Sequence, residues 1–105
     1  MKIKKVFISL PMNGKTEAEI KENRQKAIEA LYSLGYTEDE LSIIDTFIKE
    51  DAPDDVNDGL WYLGKSIELL AGADLVVFAP GWRAARGCVI EFKCAREYGL
   101  SCITA

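Results

Sequence analysis

Val6-Phe7-Ile8-Ser9-Leu10 is an apolar run broken by a single small hydroxyl, and Pro11 with the turn pair Asn13-Gly14 ends it. The run predicts a buried first strand. Thr16 followed by Glu19 is a capping-box pattern that opens a helix. Ile20, Ala27, Leu31 and Leu34 repeat on one face of that helix, and Gly35 closes it in the C-cap position. Ser42-Ile43-Ile44-Asp45 predicts a short second strand. The segment 46–58 carries Pro53 and five acidic side chains, and reads as an exposed loop. Gly59-Leu60-Trp61 begins a second helix, with Leu60, Leu63, Ile67 and Leu70 at helical spacing and a stop at Gly72. Asp74-Leu75-Val76-Val77-Phe78-Ala79 is a continuous, β-branched strand bounded by Pro80-Gly81. Gly87 opens a third helix that runs to position 98, Gly99 stops it, and Ser101-Cys102-Ile103-Thr104 is the last strand.

A strand apolar along its whole length suits a parallel sheet covered on both faces. Strand and helix alternate throughout, so the expected fold is a three-layer α/β domain of Rossmann-like or flavodoxin-like type. Its parallel sheet has about four strands in the order 2-1-3-4, with helices on both faces. One domain spans positions 1–105. In such sheets ligands sit beyond the carboxyl ends of the strands, at the switch point. The loops 9–15, 45–58 and 79–87 arrive there.

Composition narrows the chemistry. The 105 residues are 49% hydrophobic and 29% charged, which is ordinary for a soluble globular protein. A formal net charge of -4 argues against a nucleic-acid polymer or an anionic membrane as partner. The basic start Met1-Lys2-Ile3-Lys4-Lys5-Val6 has too short an apolar run for a signal-peptide core, so a cytoplasmic location is expected. The small size makes a homodimer or larger homo-oligomer the expected state, with Trp61, Tyr62 or Trp82 partly buried between subunits. Cys88, Cys94 and Cys102 are odd in number and lack CxxC spacing, so neither a disulfide framework nor a zinc site is indicated. The chain contains no histidine. Catalysis, if any, rests on carboxylates, hydroxyls, thiols or cations, and no metal or cofactor is implied.

Glu91 lies early in the third helix, after the loop Gly81-Trp82-Arg83-Ala84-Ala85-Arg86-Gly87. A helix N-terminus favours negative charge and would keep this carboxylate ionised. It could serve as the nucleophile of a glycosyl transfer, or only complement the helix dipole. Arg83 and Arg86 suit a phosphate or carboxylate ligand, with Lys15 and Lys65 in possible reach, or are solvated surface charges. Trp82 and Trp61 could stack on a base or pack in a core or interface. Cys88 reads as a small buried packing residue. Ser9, Pro11, Met12 and Asn13 form the loop after the first strand, where they could touch a ligand or make an ordinary turn. Asp45 could orient a ligand hydroxyl or cap a turn. Asp74, at the opposite sheet edge, reads as structural, and Glu50, Asp51, Asp54 and Asp55 as a solvated charge run.

Four segments together carry a family resemblance: Phe7-Ile8-Ser9-Leu10-Pro11-Met12-Asn13-Gly14, Leu60-Trp61-Tyr62-Leu63-Gly64-Lys65-Ser66, Ala73-Asp74, and Gly81-Trp82 through Gly87-Cys88 to Glu91. The chain resembles, nearly end to end, a small bacterial and phage family of domains without an assigned activity, grouped with the nucleoside 2-deoxyribosyltransferases. The resemblance implies a Rossmann-like fold and cleavage of an N-glycosidic bond by a glutamate nucleophile at Glu91. Two positions depart from the transferase pattern. An aspartate usually stands eight residues before the Ala-Asp aspartate, where this chain has Ser66. An Asp or Ser usually stands six residues before the glutamate, where it has Ala85. With both altered, protonation of the leaving base has no evident owner, and a positioned acid typically contributes a factor of about 100 to 10,000.

The resulting expectation is cleavage or deoxyribosyl transfer on a nucleoside or nucleoside monophosphate. Glu91 would be the nucleophile, Ser66 and Asp45 would contact the sugar, Arg83 and Arg86 a phosphate, and Trp82 the base. Ser9, Pro11, Met12, Asn13 and Gly87 complete the substrate contacts. The alternative is a nucleotide-binding module that keeps the pocket without turnover, and a generic interaction scaffold comes third.

Overall fold

Val6, Phe7, Ile8 and Ser9 are all buried, and so are Leu75, Val76, Val77 and Phe78. In the computed structural model, which describes residues 2–105, these two runs lie side by side in the middle of the sheet. Four parallel strands, β1 (Lys4–Ser9), β2 (Leu41–Ile43), β3 (Leu75–Phe78) and β4 (Ser101–Thr104), are ordered β2-β1-β3-β4. Three helices, α1 (Glu17–Ser33), α2 (Asp58–Leu70) and α3 (Arg86–Glu97), alternate with them.

Period-two alternation divides the core in two. Val6, Ile8, Leu75 and Val77 point to one face and pack with Ala27 and Leu31 of α1. Phe7, Val76 and Phe78 point to the other and pack with Leu70 of α2 and with Cys88 and Ala95 of α3. The result is the three-layer α/β arrangement read from the sequence, in the same strand order. The register pairs Phe7 with Val76 and Ser9 with Phe78, so Ser9 continues the face that looks at α3.

Local signals hold these elements in place. Thr16 and Glu19 complete the capping box of α1, each side chain bonding the other's backbone N–H. Leu34 is the C-cap, and Gly35 at φ 101° supplies the left-handed turn that lets the Tyr36 N–H reach the Leu31 carbonyl. Asn57 caps α2 through the Leu60 N–H. At the far edge of the sheet, Asp74 accepts from the Lys5 N–H at 2.9 Å while its own N–H donates to the Lys5 carbonyl. That contact holds its carboxyl below the usual range and makes Asp74 a tie between strands. The acids Glu50, Asp51, Asp54 and Asp55 are exposed. No helix among the described residues is long and apolar enough to cross a membrane.

Candidate functional site

The third helix places one carboxylate where an apolar side chain belongs. Cys88, Glu91 and Ala95 recur at i, i+3 and i+7, and all three are buried against the sheet. Glu91 is only 7% exposed. Ser9 meets it from the end of β1, its hydroxyl donating to Glu91 Oε1 at 2.6 Å. Oε2 is left for another partner.

The sequence reading put Glu91 early in the helix, ionised with help from the dipole. Arg86 begins α3, so Glu91 is the sixth residue and lies in the second turn, where the terminal effect has faded. Burial dominates instead and pushes its carboxyl above the ordinary 4.5, while the Ser9 hydroxyl, and behind it that of Ser66, pull it back down. Ser66 on α2 makes no hydrogen bond of ordinary geometry to Glu91, so its pull is the weaker of the two. Cys88 is buried beside them with its thiol pushed up, chiefly by burial, and is a packing residue with little thiolate character.

Glu91 lies at the floor of a cleft of 1090 Å³ beyond the carboxyl ends of β1 and β3. Leu10, Pro11, Met12, Asn13 and Lys15 form one wall. Leu60, Tyr62, Leu63 and Ser66 of α2 form a second, and Gly81 with residues 84–87 a third. Gly81 adopts φ 87°, a left-handed turn that folds the third wall back over Pro11. Asn23 of α1 fixes the start of the same loop by donating to the Pro80 carbonyl at 2.9 Å. Glu91 and Ser66 also line a second, smaller recess of 50 Å³, which they share with Ser9 and Thr46.

Of the residues picked out in the sequence, the structure brings together Ser9, Pro11, Met12, Asn13, Ser66, Arg86, Gly87 and Glu91. Trp82, Arg83, Asp45 and Lys65 lie elsewhere. Trp82, expected against a base or between subunits, is 8% exposed and sits in the core. A short 3-10 turn, Trp82–Ala84, folds its ring onto Phe92 at 4.6 Å and Phe78 at 5.2 Å. Arg83 rises from the same turn and lays its guanidinium over the Trp82 ring at 5.1 Å, outside the cleft. Asp45 accepts from the Phe47 N–H at 3.0 Å, an Asx turn that occupies it as a local cap. Lys65 is likewise engaged away from the cleft, by Glu50, Glu68 and the Trp61 ring.

Sequence reasoning passed over Thr46, Asn57, Tyr62, Leu63, Ala84 and Ile90 in this lining. Tyr62 and Ser66 are four residues apart on α2, so one helix face presents both, and that spacing was a usable signal. Leu60 shows the same geometry: it shares the apolar stripe of α2 yet is 67% exposed, because the first turns of α2 overhang the cleft.

The family described as "Domain of unknown function (DUF4406)" matches residues 4–104, and the chain belongs to it. No curated protein matches the chain.

Proposed function

We propose that this DUF4406 member binds a nucleoside or nucleoside monophosphate in the cleft and cleaves its N-glycosidic bond, with Glu91 as nucleophile. One observation carries the reading: a carboxylate buried on the core-facing stripe of a helix, oriented by a 2.6 Å hydrogen bond, at the floor of a cleft with ample room for a nucleotide. Buried carboxylates are costly to a fold, and their presence in a cleft marks function more often than stability. The likeness of the Gly81-to-Glu91 segment to the nucleoside 2-deoxyribosyltransferases supports the same chemistry.

In the step proposed, Glu91 Oε2 attacks the anomeric carbon while the glycosidic bond electrons leave with the base nitrogen. Ser9 holds Oε1, so the second oxygen is presented in one orientation. The glycosyl ester is then released by water, which makes the protein a hydrolase, or by a second base, which makes it a transferase. Asn13, Lys15 and Arg86 are the polar and cationic groups at the mouth that suit a 5′-phosphate.

A second reading, a nucleotide-binding module without turnover, is favoured by one feature of the lining. Glu91 is the only carboxylate in it, so no second acid stands ready to protonate the leaving base. Incubation with a panel of nucleosides and nucleotides, assayed for free base and titrated for binding, separates the two. Free base from any member supports the catalytic reading, and binding without release supports the module.

The exposed apolar side chains Met12, Leu60 and Ile90 rim the cleft, a surface that a second copy of the chain would cover. A homodimer or larger assembly is part of this proposal, and a monomer by light scattering at high micromolar concentration rejects it.

A further inference from the structure

The cleft has a side chamber that a base or a phosphate does not explain. A recess of 50 Å³ opens from it beside Glu91, and Leu10, Met12, Ser66 and Glu91 border both spaces. Its polar residues are Ser9, Thr46, Ser66 and Glu91. The backbone of β1 at Phe7 and Ile8 also borders it. A water molecule needs about 10–15 Å³ of cavity, so the recess takes a hydroxyl group with a water or two, and no ring. No lysine or arginine borders it and Glu91 does, which makes it unsuited to a phosphate.

We propose that this recess receives the 2′-hydroxyl of a ribose, so that the ligands are ribonucleosides or ribonucleotides in preference to their 2′-deoxy counterparts. The inference rests on the reading of Glu91 as the group facing the anomeric carbon. The base of a nucleoside projects from one face of the furanose, so a displacing carboxylate must approach the other. In ribose the 2′-hydroxyl lies on that other face, one carbon from the point of attack. A sugar placed over Glu91 therefore turns this hydroxyl toward whatever stands beside the carboxylate. In this fold that is the chamber bounded by Ser9, Thr46 and Ser66.

The hydrogen-bonding inventory fits. Ser9 spends its proton on Glu91 Oε1 and is itself buried, so the contacts to the sugar hydroxyl fall to Thr46 and Ser66. Thr46 and Ser66 each supply a donor and acceptor lone pairs. A 2′-deoxy sugar would leave these groups facing a vacancy or a trapped water, and sites built to bond a hydroxyl discriminate against ligands that lack it. Thr46 is then a specificity-determining residue, brought to the recess by the turn that follows β2.

The test uses matched ribonucleoside and 2′-deoxyribonucleoside 5′-monophosphates of the four common bases, with affinity by calorimetry and free base by chromatography on the same samples. The ribonucleotide of the best-bound pair should bind about five- to tenfold more tightly, the effect of one to two good hydrogen bonds. Thr46→Val should weaken the ribonucleotide and spare the deoxynucleotide, while Thr46→Ser keeps the preference. Circular dichroism checks that both variants are folded. Equal or tighter deoxynucleotide binding overturns the inference, as does a Thr46→Val loss shared by both members of the pair. A ribose preference without base release upholds it and removes only the catalytic reading of Glu91. Base release with a deoxyribose preference does the reverse, and no binding of any nucleotide overturns both.

Discussion

The Ser9 hydroxyl donates to Glu91 Oε1 at 2.6 Å across 82 positions of the chain, tying the end of β1 to the second turn of α3. Both partners are buried, so the bond forms where little water competes for it. Hydrogen bonds to charged groups contribute roughly 1.5–3 kcal/mol, more than neutral ones. This bond offsets part of the burial penalty on the carboxylate, and it also decides which oxygen is free.

Ser9→Ala removes the larger of the two influences that favour the ionised form of Glu91. The acidic limb of a base-release rate profile, which reports ionisation of the nucleophile, should therefore move to higher pH. Rate at a plateau pH should fall as well, since Oε2 is no longer oriented. A limb that stays in place would show that Glu91 is not the group titrating there.

Glu91→Gln should abolish base release while leaving nucleotide affinity nearly intact, because the amide keeps shape and hydrogen bonding but cannot form a glycosyl ester. The same change should stabilise the fold at neutral pH. The carboxyl pKa is raised in the folded state, so the contribution of Glu91 to stability is fully present below its ordinary 4.5 and is lost as pH rises through the folded value. The variant has no such loss. Urea unfolding should show its advantage opening as pH rises above the ordinary 4.5, and a gap that narrows with rising pH would contradict the assignment.

The strands were legible because each announces itself locally: β3 is continuously apolar, and Val6, Phe7 and Ile8 alternate between the two cores. Caps such as Thr16 with Glu19 were legible for the same reason. The site was legible only in part. The family resemblance, not the dipole argument, singled out Glu91, yet a physical signal was present in its place on the stripe Cys88-Glu91-Phe92-Ala95, a charge where a local rule calls for an apolar residue. Trp82 was misplaced because a three-residue 3-10 turn is too short to leave a periodicity, and its direction depends on Phe78 and Phe92. Thr46 could not be found at all, since only the folded sheet brings the turn after β2 beside α3.

Those aromatic contacts make Trp82 a stability residue. Trp82→Ala should lower unfolding stability by about 3–5 kcal/mol, as for other large core aromatics. Trp82→Phe should cost much less, and neither should alter nucleotide affinity while the protein remains folded. A selective loss of affinity for purine over pyrimidine nucleotides in Trp82→Phe would return the ring to the binding site.

The two arginines of the 81–87 loop should behave differently. Arg86 lines the cleft, whereas Arg83 lies over the Trp82 ring. Arg86→Ala should weaken nucleoside monophosphates by roughly 1.5–3 kcal/mol, the range for a charge-assisted hydrogen bond, with little effect on free nucleosides. Arg83→Ala should leave both unchanged. Equal losses from the two variants would mean that net charge, not position, governs phosphate binding.

Ser66→Asp tests whether the chemistry lacks an acid. Ser66 borders both the cleft and the recess, and its hydroxyl already influences Glu91, so a carboxyl introduced there stands close to the nucleophile. Two neighbouring carboxyls do not both ionise readily, and the pair retains a proton to higher pH than either would alone. That proton becomes available to the departing base nitrogen as the glycosidic bond breaks. Base release should rise by about a hundredfold, the lower end of what a positioned general acid supplies, and the rate profile should gain a falling limb on the alkaline side. Ser66→Asn has nearly the same size and no transferable proton, so it should give no gain. If the two variants raise the rate equally, the benefit comes from shape and not from proton transfer. If neither does, the slow step is not protonation of the base.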